Sequence, residues 1–115
     1  AIIMTLFERI ISREVAAQII HEDHECVAIR DINPQAPVHI LVIPRKVIPR
    51  LGDASGADAA LLGHLLLTAA SLAQLEGIGD TGYRVVINHG HNAGESVPHL
   101  HVHVLGGRIM KWPPG

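Results

Sequence analysis

A single cysteine among 115 residues leaves no partner for an intrachain disulfide. Cys26 sits in the strand-like run "ECVAIRD", where a buried, inert thiol is the expected state. A reducing compartment is therefore permitted, and a cytoplasmic setting is the expectation. An excess of either charge is also lacking. Nine lysines and arginines against eleven aspartates and glutamates give −2 with neutral histidines. That balance argues against nucleic acid bound over a broad surface, while a small anion held by local groups stays compatible with it. No apolar run reaches the roughly 18 residues of a membrane span, so no membrane partner is expected. The opening "AIIM" lacks the length and basic residues of a signal peptide. Met4 is a candidate native start, which makes residues 1–4 an extension of a single domain over 1–115. Internal repeats and low-complexity segments are missing too. Histidine is what the chain has in excess: 9 in all, five of them between His89 and His103.

The pattern along the chain is mixed. Thr5 with Glu8 makes a capping box, and Leu6, Phe7, Ile10 and Ile11 follow on one stripe, so a short helix is predicted over about 6–12. "QIIHE" and "ECVAIRD" read as two strands around a turn at Asp23-His24. "INPQAP" has two prolines and is a tight connection. "VHILVIP", 38–44, is apolar on both sides except at His39, which points to a central strand covered on both faces. Ser55 with Asp58 opens a long helix, "ADAALLGHLLLTAASLAQLE", closed by Gly77. Its apolar band is wider than one sheet face needs, so a second subunit is a candidate to cover the excess. "YRVVIN", 83–88, and "HLHVHVL", 99–105, are the last strands, and 106–115 is a tail. The sum is an α+β layer: a five-stranded antiparallel sheet with one short and one long helix.

"HLHVHVL" is where chemistry concentrates. Alternation along a strand sends His99, His101 and His103 to one side and Leu100, Val102 and Val104 to the other. Three readings compete. A solvated polar face explains one histidine more easily than three in strict register. A metal site suits pairs two apart, but His99 and His103 would lie about 13 Å apart on one strand, too far for zinc bonds of about 2.0–2.1 Å. Two of them with His39 would be needed. The third reading is imidazole chemistry on a phosphate, with a nucleophile in the middle and a helper on either side. The loop "NAGESV" could aim backbone N–H groups at an anion, Ser96 adds a hydroxyl, and Asn88 ends the preceding strand. Asp31 ends another strand, as a turn residue or as an acceptor for ribose hydroxyls.

"DINPQAPVHILVIPRKVI", "LLGHLL", "GYRVVINHG", "GESVPHLHVHVLGGR" and "WPPG" occur in an order that resembles the Hint branch of the histidine-triad (HIT) superfamily, from about Phe7 to Gly115. The resemblance implies an α+β fold and a homodimer whose sheets join into one. It implies hydrolysis of the P–N bond of purine nucleoside 5′-phosphoramidates, with aminoacyl-adenylates as a related substrate, and AMP and GMP as ligands. By match, His101 would be the nucleophile. His103 and Ser96 would contact phosphate and help protonate the leaving amine, and His99 and His39 would support them. Asn88, Gly94 and Ser96 would line the phosphate region, and Asp31 would hold the ribose beside Ile32. Phe7, Ile10 and Ile29 would form the base pocket. Trp112 would lie near the other subunit's site. No metal or cofactor is required. Pro98, Ile29, His89 and His91 depart from the pattern of the branch. A nucleotide-binding regulatory protein with little turnover is one alternative. A Fhit-like dinucleoside polyphosphate hydrolase is another, disfavoured by the "GGR…WPPG" ending.

Overall fold

The structure, a computed structural model, describes residues 4–115. Of the expected extension 1–4, all but Met4 lies outside the described residues. Helix α1 (Leu6–Ile11) starts at Thr5, whose hydroxyl accepts the Glu8 N–H while the Glu8 carboxylate accepts the Thr5 N–H. Strands β1 (Ile19–Glu22), β2 (Cys26–Arg30) and β3 (Val38–Pro44) follow. Helix α2 (Ala59–Leu75) comes next, then β4 (Tyr83–Val86) and β5 (Val102–Gly106). The sheet is antiparallel throughout, in the order β1-β2-β3-β5-β4.

The two faces of the sheet are buried by different elements, as the unbroken apolar run of β3 predicts. On one face Cys26, Ala28, Ile40, Val42, Val102 and Val104 meet Leu65, Ala69, Leu72 and Ala73 of α2. On the other, Val27, Ile29, Leu41 and Ile43 meet Phe7 and Ile10 of α1. Helix α2 begins behind the Ser55–Asp58 capping box. It ends at Gly77, φ +79, where the N–H groups of Gly77 and Ile78 return to the carbonyls of Gln74 and Ala73. By length and composition Gly56–Leu75 is apolar enough to cross a bilayer, with mean hydropathy 1.4. Its inner face instead lies on the sheet, with Leu65 and Ala69 almost fully buried. Leu66, Leu67 and Leu75 remain exposed on its outer side. Cys26 is buried beneath α2, and that burial raises its thiol pKa to about 12, the inert state expected.

Two strands are shorter than the sequence predicts. The last strand begins at Val102, not at residue 99: the β3–β5 ladder stops at Val42–Val102 although β3 itself runs on to Pro44 beside β2. Before that point the chain pairs with the loop after β3, through Leu100 N–H to the Ile48 carbonyl at 2.7 Å. Strand β4 stops at Val86, so Asn88 lies beyond it.

Candidate active site

Only His103 of the three histidines lies in β5. His101 and His99 stand in the extended segment before it, and all three gather on the α1 face. Phe7 packs edge-on against His99 and His101, with ring centres at 5.9 and 4.8 Å. His39 faces His103 diagonally across the β3–β5 pair, since His39 pairs with Leu105.

The hydrogen bonds fix which nitrogen of each ring carries its proton. His99 Nε2 lies 2.8 Å from the Pro44 carbonyl, which can only accept, so Nε2 is protonated. Its Nδ1 then accepts from the Thr5 hydroxyl at 2.8 Å. His101 Nδ1 donates to the His99 carbonyl at 2.7 Å, which leaves Nε2 as a lone pair. That Nε2 makes no hydrogen bond among the described residues. Every buried side-chain nitrogen and oxygen among the described residues has a partner, so Nε2 is open to the pocket. The Gln35 N–H donates to His39 Nδ1 at 3.0 Å, so the single proton of His39 is on Nε2 and points at His103 Nδ1, 2.9 Å away. His103 therefore carries its proton on Nε2.

Burial, reinforced by His101 and His39, lowers the His103 pKa to about 4. Burial likewise lowers those of His39 and His99. All three rings are neutral near pH 7.

The pocket next to these rings has a volume of about 550 Å³, within the range of small-molecule sites. His101, His103, Ser96 and Asp31 supply its polar groups, and Phe7, Ile10, Ile29, Leu41 and Val97 its apolar wall. Asp31 closes the proline turn through Oδ1, which accepts the Asn33 N–H at 2.8 Å; its Oδ2 stands 3.4 Å from His39 Nε2. Ile32 is fully exposed on the rim. A second cleft of about 600 Å³ lies under the tail, lined by Tyr83, Arg84 and Arg108 among others, but it holds no histidine, cysteine or carboxylate.

The structure brings together Phe7, Ile10, Ile29, Asp31, Ile32, Ser96, His101 and His103 around one pocket. His39 and His99 stand behind that wall, touching its rings. Asn88 and Gly94 do not line the pocket. Gly94 is exposed at φ +78, where it ends the tight turn His91–Ala93. Trp112 is exposed as well, with the Arg84 guanidinium 5.8 Å from its ring centre. Sequence reasoning missed the residues that anchor the rings: Thr5, Gln35 and Pro44. It also missed the tether behind Ser96, where Glu95 accepts from Nε and Nη2 of Arg50, at 3.0 and 2.7 Å, and from the Gly90 N–H at 3.1 Å.

Asp31, His39 and His103 offer donor atoms within 4.8 Å of one another, the spacing of a metal site. The Gln35 N–H argues against one there. It occupies His39 Nδ1, so the ring must hold its proton on Nε2, the atom a metal would need.

The HIT domain family matches residues 12–110. An uncharacterised HIT-like protein of Synechocystis is 55% identical over 111 residues, covering 96% of each chain. A 14 kDa zinc-binding protein of Zea mays is 49% identical over 113 residues, 96% of this chain and 88% of the maize protein. A solved HIT family hydrolase of Legionella pneumophila superposes with a TM-score of 0.94 at 46% identity, over 96% of this chain and 98% of that one. The chain belongs to the HIT family and has the fold of that hydrolase.

Proposed function

We propose that the protein is a nucleotide-binding hydrolase of the Hint branch, acting on the P–N bond of purine nucleoside 5′-phosphoramidates. One observation carries the reading: the His101 ring donates from Nδ1 to the His99 carbonyl, so its Nε2 meets the pocket beside the Nε2–H of His103. That pair suits a reaction that needs a nucleophile on phosphorus and a hydrogen-bond donor to the phosphate.

In this reading the base lies against Phe7, Ile10 and Ile29, and the ribose hydroxyls reach Asp31 Oδ2. His101 Nε2 attacks phosphorus in line. The P–N bond breaks, and the departing amine keeps its electron pair and takes a proton from water, while His103 keeps its Nε2 proton and donates a hydrogen bond to the phosphate. The hydroxide left by that water attacks the nucleotidyl-His101 and releases the nucleoside monophosphate. Ser96 donates to a phosphate oxygen throughout. A homodimer joined along β4 completes the proposal. It is supported by the free edge of β4 and by exposed Val85, Tyr83 and Leu67.

The test is turnover of adenosine and guanosine phosphoramidates. His101→Ala is expected to abolish it with the fold intact by circular dichroism, and rapid acid quench of the wild type should yield a nucleotidyl adduct on His101 by mass spectrometry. Turnover unchanged in His101→Ala sinks the mechanism. AMP binding with no turnover of any phosphoramidate would favour a regulatory protein instead.

A further inference from the structure

A second cluster of donor atoms lies at the hairpin turn, at the opposite end of β2 from Asp31. Asp23 Oδ1 accepts the N–H groups of Glu25 and Cys26, at 2.7 and 2.8 Å, which locks the carboxylate and turns Oδ2 inward. Three side chains converge on that one oxygen: His21 Nε2 at 2.8 Å, His64 Nε2 at 2.9 Å and Cys26 Sγ at 3.5 Å. They come from β1, α2 and β2, elements fixed to each other by the core. An oxygen with two lone pairs is thus asked to serve three hydrogens. The atoms of His21, Asp23 and Cys26 all lie within 4.8 Å of one another.

The donor set is two imidazole nitrogens, one carboxylate oxygen and one sulfur, the mixture that suits zinc and its borderline relatives. Tetrahedral zinc, with bonds of about 2.0–2.3 Å, needs donors roughly 3.3–3.7 Å apart. The sulfur–oxygen distance already meets this. His21 needs to retreat from the carboxylate by about half an ångström, and His64, which lies outside the 4.8 Å set of His21, Asp23 and Cys26, must swing toward them to complete it.

The tautomer test that fails at His39 succeeds here. His64 Nε2 donates to Asp23 Oδ2, but its Nδ1 faces the Glu25 carboxylate at 3.4 Å, so the ring proton has an acceptor on that side once a metal takes Nε2. Such carboxylate–histidine–metal relays orient ligating histidines. His21 and His64 side chains are 34% and 35% exposed, so an ion can enter from the hairpin side. Arg45, the nearest cation, is engaged by the Asp23 carbonyl and Glu22.

We propose that His21, Asp23, Cys26 and His64 form a structural site for a zinc-type divalent ion, which staples the β1–β2 hairpin to α2. The site is separate from the nucleotide pocket and does not depend on what that pocket hydrolyses.

Cobalt titration of the chelator-stripped full chain tests it. One equivalent of Co²⁺ should give the intense visible bands of a tetrahedral ion and a near-ultraviolet thiolate charge-transfer band, both displaced by Zn²⁺. Cys26→Ser should remove the charge-transfer band, and His21→Asn should weaken Co²⁺ binding by about tenfold or more. His21→Asn changes a part-exposed side chain, so it keeps the test open if Cys26→Ser fails to fold. Zinc should raise the melting temperature of the wild type, and much less that of His21→Asn. His103→Asn should leave all of this intact. Absence of saturable binding overturns the proposal. So does binding that His103→Asn abolishes and His21→Asn leaves unchanged.

Discussion

At the scale of single residues, Thr5 does two jobs that the sequence divides between separate patterns. Its hydroxyl oxygen accepts the Glu8 N–H as a helix cap, and its hydrogen goes to His99 Nδ1. Thr5→Val keeps the shape and loses both. The cap is worth about 1 kcal/mol, and an unmet buried ring nitrogen costs about 1–3 kcal/mol more. Urea unfolding should show a loss of roughly 2–4 kcal/mol for Thr5→Val and little change for Thr5→Ser. His103 gives a second expectation. Its pKa is near 4 when folded, against the ordinary 6.5 when unfolded. Above pH 6.5 both states are neutral at this group and folding is indifferent to it. Below that the unfolded chain gains a proton that the folded chain refuses. Stability should therefore fall as the pH drops from 6.5 to about 4, by on the order of 3 kcal/mol from this group. His39 and His99, shifted the same way, add to it. Melts across that window should be flatter for His103→Asn, and an unchanged slope would contradict this account.

At the scale of elements, the loop that carries Ser96 is held by a side chain rather than by a strand. Glu95 clamps Arg50 and the Gly90 N–H, and the Arg50 guanidinium with the Gly90 amide holds the Glu95 carboxyl down at about 2. The clamp should survive well below neutral pH. Glu95→Ala should raise KM for a phosphoramidate several-fold with a smaller effect on kcat, and speed amide exchange over residues 90–96 on an otherwise protected fold. Equal exchange rates would mean the loop holds itself. Much of this architecture was legible in the sequence. Both capping boxes, the double-covered β3 and the Gly77 stop are local signals, and they hold. The row of three histidines on one strand was not, because where β5 starts depends on where its pairing with β3 stops, a non-local fact. For the same reason Asn88 and Gly94 read as pocket residues by their position beside Ser96 in the chain. The loop instead folds toward Arg50 and Gly52, where His89 Nδ1 accepts the Gly52 N–H. Thr5 lies 94 residues from His99, beyond any local pattern.

At the scale of the whole molecule, the sheet has two unequal edges. Both edge strands have four residues, but β1 is half-buried along most of its length, whereas β4 exposes Tyr83 and Val85. Sedimentation should find a dimer in the wild type and a monomer in Leu67→Asp combined with Val85→Lys; dimers in both would place the contact elsewhere. The anchors of the histidine rings have a different kind of consequence. Three of the four are main-chain atoms: the carbonyls of Pro44 and His99 and the N–H of Gln35. No ordinary side-chain substitution deletes a carbonyl, so an alanine scan would pass over the parts that set the proton positions. Positions 35 and 44 are free to vary in identity while the chemistry stays in place, provided that residue 35 is never proline. The tautomers are inherited with the path of the backbone.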